Sequence, residues 1–116
     1  MKRQTISADA VIIGAGAAGL MCAIRAGECG LRVAVVEKAP TAGNKIRISG
    51  GGRCNFTNLH ITPSAYLSPN PHFCKSALSR YTQWDFIELL HKHGLTYHEK
   101  TLGQLFCEQK STAIIN

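Results

Sequence analysis

The sequence predicts an α/β fold in which one strand–helix–strand unit begins an incomplete doubly wound domain. Three features predict it: an apolar run rich in β-branched residues ends at Gly14, a helical pattern follows over residues 17–29, and a second apolar run ends at Glu37. A strand, a helix and a strand within about thirty residues are typical of a βαβ unit with parallel strands and a right-handed crossover. We assign this unit to about residues 8–38.

Local patterns support each element of the unit. Residues 8–13 and 31–37 are the two predicted strands, and the apolar, β-branched composition of the first indicates burial on both faces. Gly30 is expected to end the helix as a left-handed C-terminal cap. The helix should bury one apolar stripe, formed by Leu20, Ala23, Ile24 and Gly27.

The sequence after the βαβ unit predicts a long loop followed by a helical segment. Residues 40–65 are rich in Gly, Asn, Thr and Ser, which predicts a loop, with a short helical turn near Lys45. In the helical segment, at about residues 70–94, Asn70 is expected to cap one helix, with Pro71 at its first position. The apolar positions of that helix are Phe73, Ala77, Leu78 and Tyr81.

The second helix of that segment should begin at a capping box. Thr82 and Asp85 have the required spacing, and Gly94 is the expected stop. Short extended segments are predicted at residues 95–99 and 104–107, and Ser111 should open a further helix. Because that helix starts so close to the last residue, we expect the chain to be the N-terminal part of a longer protein.

Composition excludes several classes of protein. The 116 residues suit one domain at most, and 45% hydrophobic with 17% charged residues exclude a disordered chain. Five cysteines without a Cys-x-x-Cys spacing indicate reduced thiols and a cytoplasmic location. Glycines interrupt the apolar stretch after the basic N-terminus, so we expect neither a secretory leader nor membrane association. The histidines have no metal-ligand spacing, so we expect no metal.

The positive charge is concentrated in one segment. The net charge is +6, and no acid occurs between Glu37 and Asp85, where six Lys and Arg residues lie. Such a segment suits an anionic ligand such as a pyrophosphate, and it also keeps open a non-catalytic anion- or nucleic-acid-binding module. A solvated basic surface is the structural alternative. Because no nucleic-acid-binding motif accompanies the charge, we expect no nucleic-acid partner.

The turn after the first strand has the G-x-G-x-x-G pattern of a dinucleotide site, in a Rossmann-like context. Gly14 allows the tight turn, Gly16 lets backbone approach a pyrophosphate, and Gly19 lets the helix pack on the strand. The helix start at Ala17 and Ala18 offers N–H groups to phosphate. Glu37 is placed to accept hydrogen bonds from ribose hydroxyls and to repel a 2′-phosphate. FAD and NAD share this pattern, so an NAD-dependent oxidoreductase stays open as an alternative.

A second motif, Gly-Asn-Lys-Ile-Arg-Ile-Ser-Gly-Gly-Gly-Arg-Cys-Asn-Phe-Thr-Asn, covers residues 43–58. Three consecutive glycines between basic residues can wrap a phosphate or a flavin edge with backbone N–H groups. Lys45 has the reach for a pyrophosphate, and Asn55, Thr57 and Asn58 offer neutral hydrogen-bonding groups. A flexible surface loop is the structural alternative.

Together with the sequences at residues 70–73 and 102–107, these motifs resemble the bacterial bile-acid-reductase-like flavoproteins, also labelled aminoacetone-oxidase-family FAD-binding proteins. The resemblance covers essentially the whole chain. It implies an FAD-binding oxidoreductase several times longer, of which this piece alone would be inactive. Carried over position by position, it implies a set of FAD contacts: Gly14, Gly16, Ala17, Ala18, Gly19, Glu37, Lys38, Lys45, Ser49, Gly51, Gly52, Arg53, Cys54 and Asn55.

The expected activity is flavin-mediated redox of an unidentified small molecule. Reduction of a conjugated C=C bond and oxidation of an amine are both open, and NADH or NADPH is the candidate electron donor. We assign no catalytic residue. Disulfide-reductase chemistry is disfavoured because Leu59 stands where a second cysteine would follow Cys54. Cys54 therefore either lines the flavin site or, beside Arg53, has a lowered thiol pKa.

Three aromatic side chains, and the leucines near them, lack an assigned chemical role. Phe86, Leu89 and Leu90 form an apolar stripe that we expect in the core. Tyr81 and Trp84 are expected to pack, with a substrate wall as the alternative.

Overall fold

The computed structural model describes residues 2–116 and divides the chain into two compact units. The first unit ends at Ile46 and the second begins at Arg47. The second motif of the sequence is thus split, with Lys45 in the first unit and the three glycines in the second. Each unit has its own small sheet.

The first unit is the predicted βαβ unit. Strand β1 (Ala10–Ile13) pairs in parallel with β2 (Val33–Val36), and helix α1 (Ala17–Glu28) connects them. Both strands are shorter than predicted. At their starts, Asp9 pairs with Arg32, and this ion pair lowers the pKa of the Asp9 carboxyl. The paired starts set the register in which Ala10 faces Val33.

Helix α1 buries only part of the predicted stripe. Leu20, Ala23 and Ala26 are half-buried, whereas Ile24 is 41% exposed and Gly27 is exposed. Met21 is half-buried as well. The inward face of α1 therefore includes Leu20 and Ala23 of the predicted stripe but not Ile24 and Gly27.

Helix α2 (Asn44–Ile48) confirms the predicted helical turn near Lys45. The prediction of a continuous loop after it is wrong, because strand β3 (Asn55–Asn58) lies within residues 40–65. β3 pairs with β5 (Gln104–Cys107), almost fifty residues later, with a register shift between Asn55 and Thr57. Distant pairing outweighs the low strand propensity of the two asparagines.

The sheet of the second unit has three antiparallel strands in the order β3-β5-β4. The edge strand β4 (Tyr97–Glu99) lies within the predicted segment 95–99, and β5 has the predicted bounds. Leu105, Cys107 and Ser111 are the most deeply buried side chains of the described residues. The central strand and the residues just after it therefore form the core of this unit.

Two of the three helices of the second unit begin where the sequence predicted, and one begins later. Helix α4 (Gln83–Lys92) begins at the capping box, in which the backbone N–H of Thr82 donates to the Asp85 carboxylate at 2.7 Å. Helix α3 (Lys75–Arg80) starts later than predicted. Asn70 instead forms a turn, because its side-chain oxygen accepts from the backbone N–H of His72 at 3.0 Å. Helix α5 (Ser111–Ile115) begins where predicted.

The apolar predictions for these helices are partly confirmed. Leu90 is buried, and Phe86 and Leu89 are half-buried. The packing prediction is wrong for Trp84, which is 57% exposed, and Phe73 is 54% exposed. The buried residue at the start of α3 is Cys74, which follows Phe73 directly.

The connection between β4 and β5 contains an unusual backbone conformation. Leu102 has φ of 52° and is 83% exposed. A left-handed conformation costs a non-glycine residue about 1–2 kcal/mol. Its carbonyl accepts from the Asn58 side chain at 2.9 Å, and this hydrogen bond helps to hold the conformation.

Over residues 2–116, the structure contains no helix that is both long enough and apolar enough to cross a membrane.

Candidate cofactor-binding site

The turn between β1 and α1 is built on close packing at Gly19. A Cβ atom placed on Gly19 would lie 1.8 Å from the carbonyl oxygen of Gly14. Gly14 itself has φ of 100°, and its N–H donates to the Val36 carbonyl at 2.7 Å. Only glycine at position 19 therefore allows α1 to begin this close to the end of β1.

The same turn is open on its outer side. Cβ atoms placed on Gly14 and Gly16 would meet none of the described atoms within 4 Å, apart from their chain neighbours. Gly16 is the N-cap of α1 and has no side chain, and Ala17 and Ala18 are exposed. The start of a twelve-residue helix thus presents backbone N–H groups and partial positive charge to an open space. This arrangement fits a pyrophosphate.

Glu37 lies beside this turn, just after β2. One carboxylate oxygen accepts from the backbone N–H of Ala15 at 2.7 Å, and the other accepts from Ala39 at 2.8 Å. The hydrogen bonds from Ala39 and Ala15 lower the pKa of Glu37, so the side chain is ionised at neutral pH. Each carboxylate oxygen keeps a further lone pair for a ribose hydroxyl, and the charge opposes a 2′-phosphate.

A contact that sequence reasoning missed links the first turn to the second motif. The N–H of Gly43 donates to the carbonyl of Ala15 at 2.8 Å, and Gly43 has φ of 68°. Ala15 is 4% exposed. The first residue of the second motif is therefore bonded to the turn. A glycine at the start of the motif was the available signal.

Two predicted cationic contacts lie in the same unit. Lys38 follows Glu37 directly, and Lys45 lies in the first turn of α2; both are exposed. The first unit therefore contains the predicted contacts Gly14, Gly16, Ala17, Ala18, Gly19, Glu37, Lys38 and Lys45.

In the second unit, the three consecutive glycines form a left-handed turn. Gly50, Gly51 and Gly52 have φ of 57°, 64° and 88°. A Cβ atom on Gly50 would lie 2.7 Å from the backbone nitrogen of Asn55 and 2.8 Å from the ring of Phe106, whereas Gly51 and Gly52 face open space. We call residues 50–52 the triple-glycine turn. Two hydrogen bonds close it, from Arg53 N–H to the Gly50 carbonyl and from Cys54 N–H to the Ser49 carbonyl.

The residues after the turn bind to β5 and to the segment that follows it. Arg53 donates to the Glu108 carbonyl at 2.6 Å. The Cys107 N–H donates to the carbonyls of Arg53 and Cys54. In the orientation that pairs donors with acceptors, the Asn55 amide nitrogen donates to the carbonyls of Leu105 and Thr57. The predicted contacts Ser49, Gly51, Gly52, Arg53, Cys54 and Asn55 thus belong to a segment anchored on β5.

Two predicted chemical roles are changed by these contacts. Cys54 is 5% exposed, and burial, together with the nearby Cys107, raises the pKa of its thiol, although a hydrogen bond with the Ser49 side chain opposes this. The alternative of a lowered thiol pKa is therefore wrong. Asn58 uses both ends of its amide within the unit, donating to Leu102 and accepting from His60.

Comparison with known proteins gives a family match over most of the chain. Residues 8–116 match the family described as "HI0933-like protein Rossmann domain". The chain is 61% identical over 108 residues to a protein named ribosomal RNA dihydrouridine synthase from Escherichia coli, covering 93% of this chain and 27% of that protein.

Two further relatives extend the comparison. A protein of the same name from Haemophilus influenzae is 58% identical over 105 residues, which cover 90% of this chain and 26% of the relative. A 3-dehydro-bile acid delta(4,6)-reductase from Clostridium scindens is 34% identical over 86 residues, which cover 72% of this chain and 21% of the relative. The chain therefore spans about a quarter of the length of the curated relatives it matches.

Proposed function

This chain belongs to the HI0933-like protein Rossmann domain family, and on that basis we propose that it is the FAD-binding part of a flavin-dependent reductase. The proposed reaction is the saturation of a conjugated C=C bond. The observation that carries the cofactor part of the proposal is the hydrogen bond between the Glu37 carboxylate and the glycine turn that begins α1.

The residues present suit a dinucleotide cofactor. The N–H groups at the start of α1 would hold the pyrophosphate, and Glu37 would hold the ribose hydroxyls of the adenosine half. Lys38 and Lys45 would balance the charge of the phosphates. Residues 49–55 are the proposed contacts of the flavin half. When bound, FAD supplies hydride transfer, and the protein contributes position and electrostatics.

The names of the relatives support reduction of a double bond over oxidation of an amine. Dihydrouridine is uridine with the C5=C6 bond of its base saturated, and a delta(4,6)-reductase is named for the double bonds that it reduces. In the uridine base and in the bile acid alike, the double bond is conjugated with a carbonyl group. An enzyme of this kind needs a two-electron donor, and NADH or NADPH is the donor we propose.

We propose a uridine base of ribosomal RNA as the substrate. Two relatives with this named activity are 61% and 58% identical over nine-tenths of the chain or more. The segment from Lys38 to Arg80 has six Lys and Arg residues and no acid, which suits an RNA backbone. A small-molecule substrate without nucleic acid, as expected from the sequence, is the second candidate, supported by the bile-acid reductase. All five cysteines are free, which suits a cytoplasmic location.

The full-length protein provides the test. We expect it to copurify with a yellow cofactor that mass spectrometry identifies as FAD; recovery of NAD instead would support the alternative oxidoreductase. With NADH or NADPH, it should form dihydrouridine in protein-free ribosomal RNA isolated from a strain that lacks its gene. Nucleoside mass spectrometry measures the product. FAD binding without any dihydrouridine would keep the flavoprotein assignment and reject the RNA substrate.

A further inference from the structure

Phe106 lies on β5 opposite two residues that flank it in the sheet. It faces Asn55 on β3 and His98 on β4, so the three residues form one row across the strands. The rings of His98 and Phe106 are stacked with centroids 6.1 Å apart. The ring of Phe106 is thus fixed from the β4 side.

Two further contacts complete the setting of this ring. The ammonium group of Lys100 lies 5.3 Å from the ring centroid, within the range of a cation–π contact. On another side, the ring closes on Gly50, where an added Cβ would meet ring carbons at 2.8 and 3.0 Å. Phe106 is 9% exposed as a result. The ring therefore fills the space directly against the triple-glycine turn.

The turn depends on such a support. Three successive residues in the left-handed region have no regular helix or strand to hold them, and glycine has the largest backbone freedom of any residue. The two hydrogen bonds that close the turn end at Arg53 and Cys54, and the next segment is bonded to β5. Phe106 is the side chain of β5 that meets the turn itself.

We propose that Phe106 is a positioning residue that holds the triple-glycine turn in the shape that receives the flavin half of FAD. This inference rests on the proposed cofactor. The ring acts through Gly50: a smaller side chain leaves a gap under the turn, which then samples other conformations. Gly51 and Gly52, which face open space, lose their fixed position.

The test compares Phe106→Leu with Phe86→Leu in the full-length protein. Phe86 is a matched control because it is a half-buried ring of the same unit whose ring contact is with Phe56. Phe106→Leu should weaken FAD binding about tenfold more than Phe86→Leu does and should change the flavin absorbance spectrum. Phe106→Tyr, which keeps the ring, should bind FAD as the wild type does.

A second measurement separates this inference from the cofactor proposal. In the protein stripped of cofactor, Phe106→Leu should speed amide hydrogen exchange at Arg53 and Cys54 about tenfold, whereas Phe86→Leu should leave these amides unchanged. Equal exchange in both variants, or FAD binding that falls only in step with thermal stability, would overturn the positioning role. If the wild type binds no FAD but the two variants still differ in amide exchange as expected, only the cofactor proposal is rejected.

Discussion

The chain has two glycine-rich turns, and they use glycine for different physical reasons. In the first turn, Gly19 is required by packing, because a side chain there would overlap the Gly14 carbonyl. In the triple-glycine turn, the requirement is the handedness of the backbone at all three positions, and only at Gly50 would an added side chain also meet neighbouring atoms. The first turn also contains a positive φ, at Gly14, but its tightest limit is the space at Gly19, whereas the triple-glycine turn is limited mainly by conformation.

The largest effect should come from the space-limited turn. Gly19→Ala should lower the free energy of unfolding by about 3 kcal/mol, since the new methyl group overlaps a backbone atom that cannot move independently. Urea denaturation of the full-length protein measures this. Gly27→Ala, in the same helix but in open space, should instead stabilise by about 0.5–1 kcal/mol. Equal effects would show that α1 does not pack as described.

The ligand side of the first turn depends on charge. Glu37→Gln should weaken FAD binding about tenfold, because a neutral amide replaces a charged acceptor. Fluorescence titration with FAD measures the change. Glu28→Gln is the control, since Glu28 lies on the same unit in a surface ion pair with Arg25. Loss of binding in both variants would indicate a general charge effect.

Glu37 also predicts a pH dependence. Its pKa is lowered in the folded protein, so its contribution to stability is present above the ordinary glutamate pKa of 4.5 and is lost as the pH falls through the folded-state value. The wild type should therefore lose more stability than Glu37→Gln below pH ~4.5, as thermal unfolding at several pH values would record. Parallel curves would contradict the bonded carboxylate.

Substitutions in the triple-glycine turn should differ in how much stability they cost. Gly51→Ala should cost about 1 kcal/mol, the penalty of a left-handed alanine. Gly50→Ala should cost about 2–3 kcal/mol, because its methyl group also meets Asn55 and Phe106. Both values come from urea denaturation. A cost at Gly51 equal to that at Gly50 would mean that position 51 is covered in the full-length protein.

The smallest effect concerns a left-handed residue that is not glycine. Leu102→Asn should raise stability by about 0.5–1 kcal/mol, since asparagine tolerates positive φ and the leucine side chain is 83% exposed. The change appears as a higher melting temperature. Leu67→Asn, at a leucine that is 93% exposed and lacks positive φ, should have no effect. A lower melting temperature for Leu102→Asn would show that this leucine is packed.

The parts of the fold that local patterns determine were predictable. The βαβ unit, the capping box of α4 and the bounds of β5 each depend on neighbouring residues, and the structure confirms them. β3 was missed because its partner is almost fifty residues away and asparagine opens and closes it. The burial of Trp84 was wrongly predicted because an apolar side chain near a helix start does not reveal which face has a neighbour.

The candidate site shows the same division. The roles of Gly19 and Glu37 follow from a known spacing, and the structure shows the close packing at Gly19 and the hydrogen bonds that lower the pKa of the Glu37 carboxyl. The FAD contacts themselves stay predictions. The support of the triple-glycine turn by Phe106 was outside sequence reasoning, since no local signal pairs residue 50 with residue 106.

Ala15 has no functional group in its side chain, yet it connects three segments of the first unit. Its N–H is occupied by Glu37, its carbonyl by Gly43, and its methyl group is enclosed. Residue 15 thereby joins the Glu37 carboxylate to the residue that precedes α2, through hydrogen bonds on both sides of a single Cα atom. A bulkier side chain at this buried position would have to displace its neighbours, and both hydrogen bonds would be strained together.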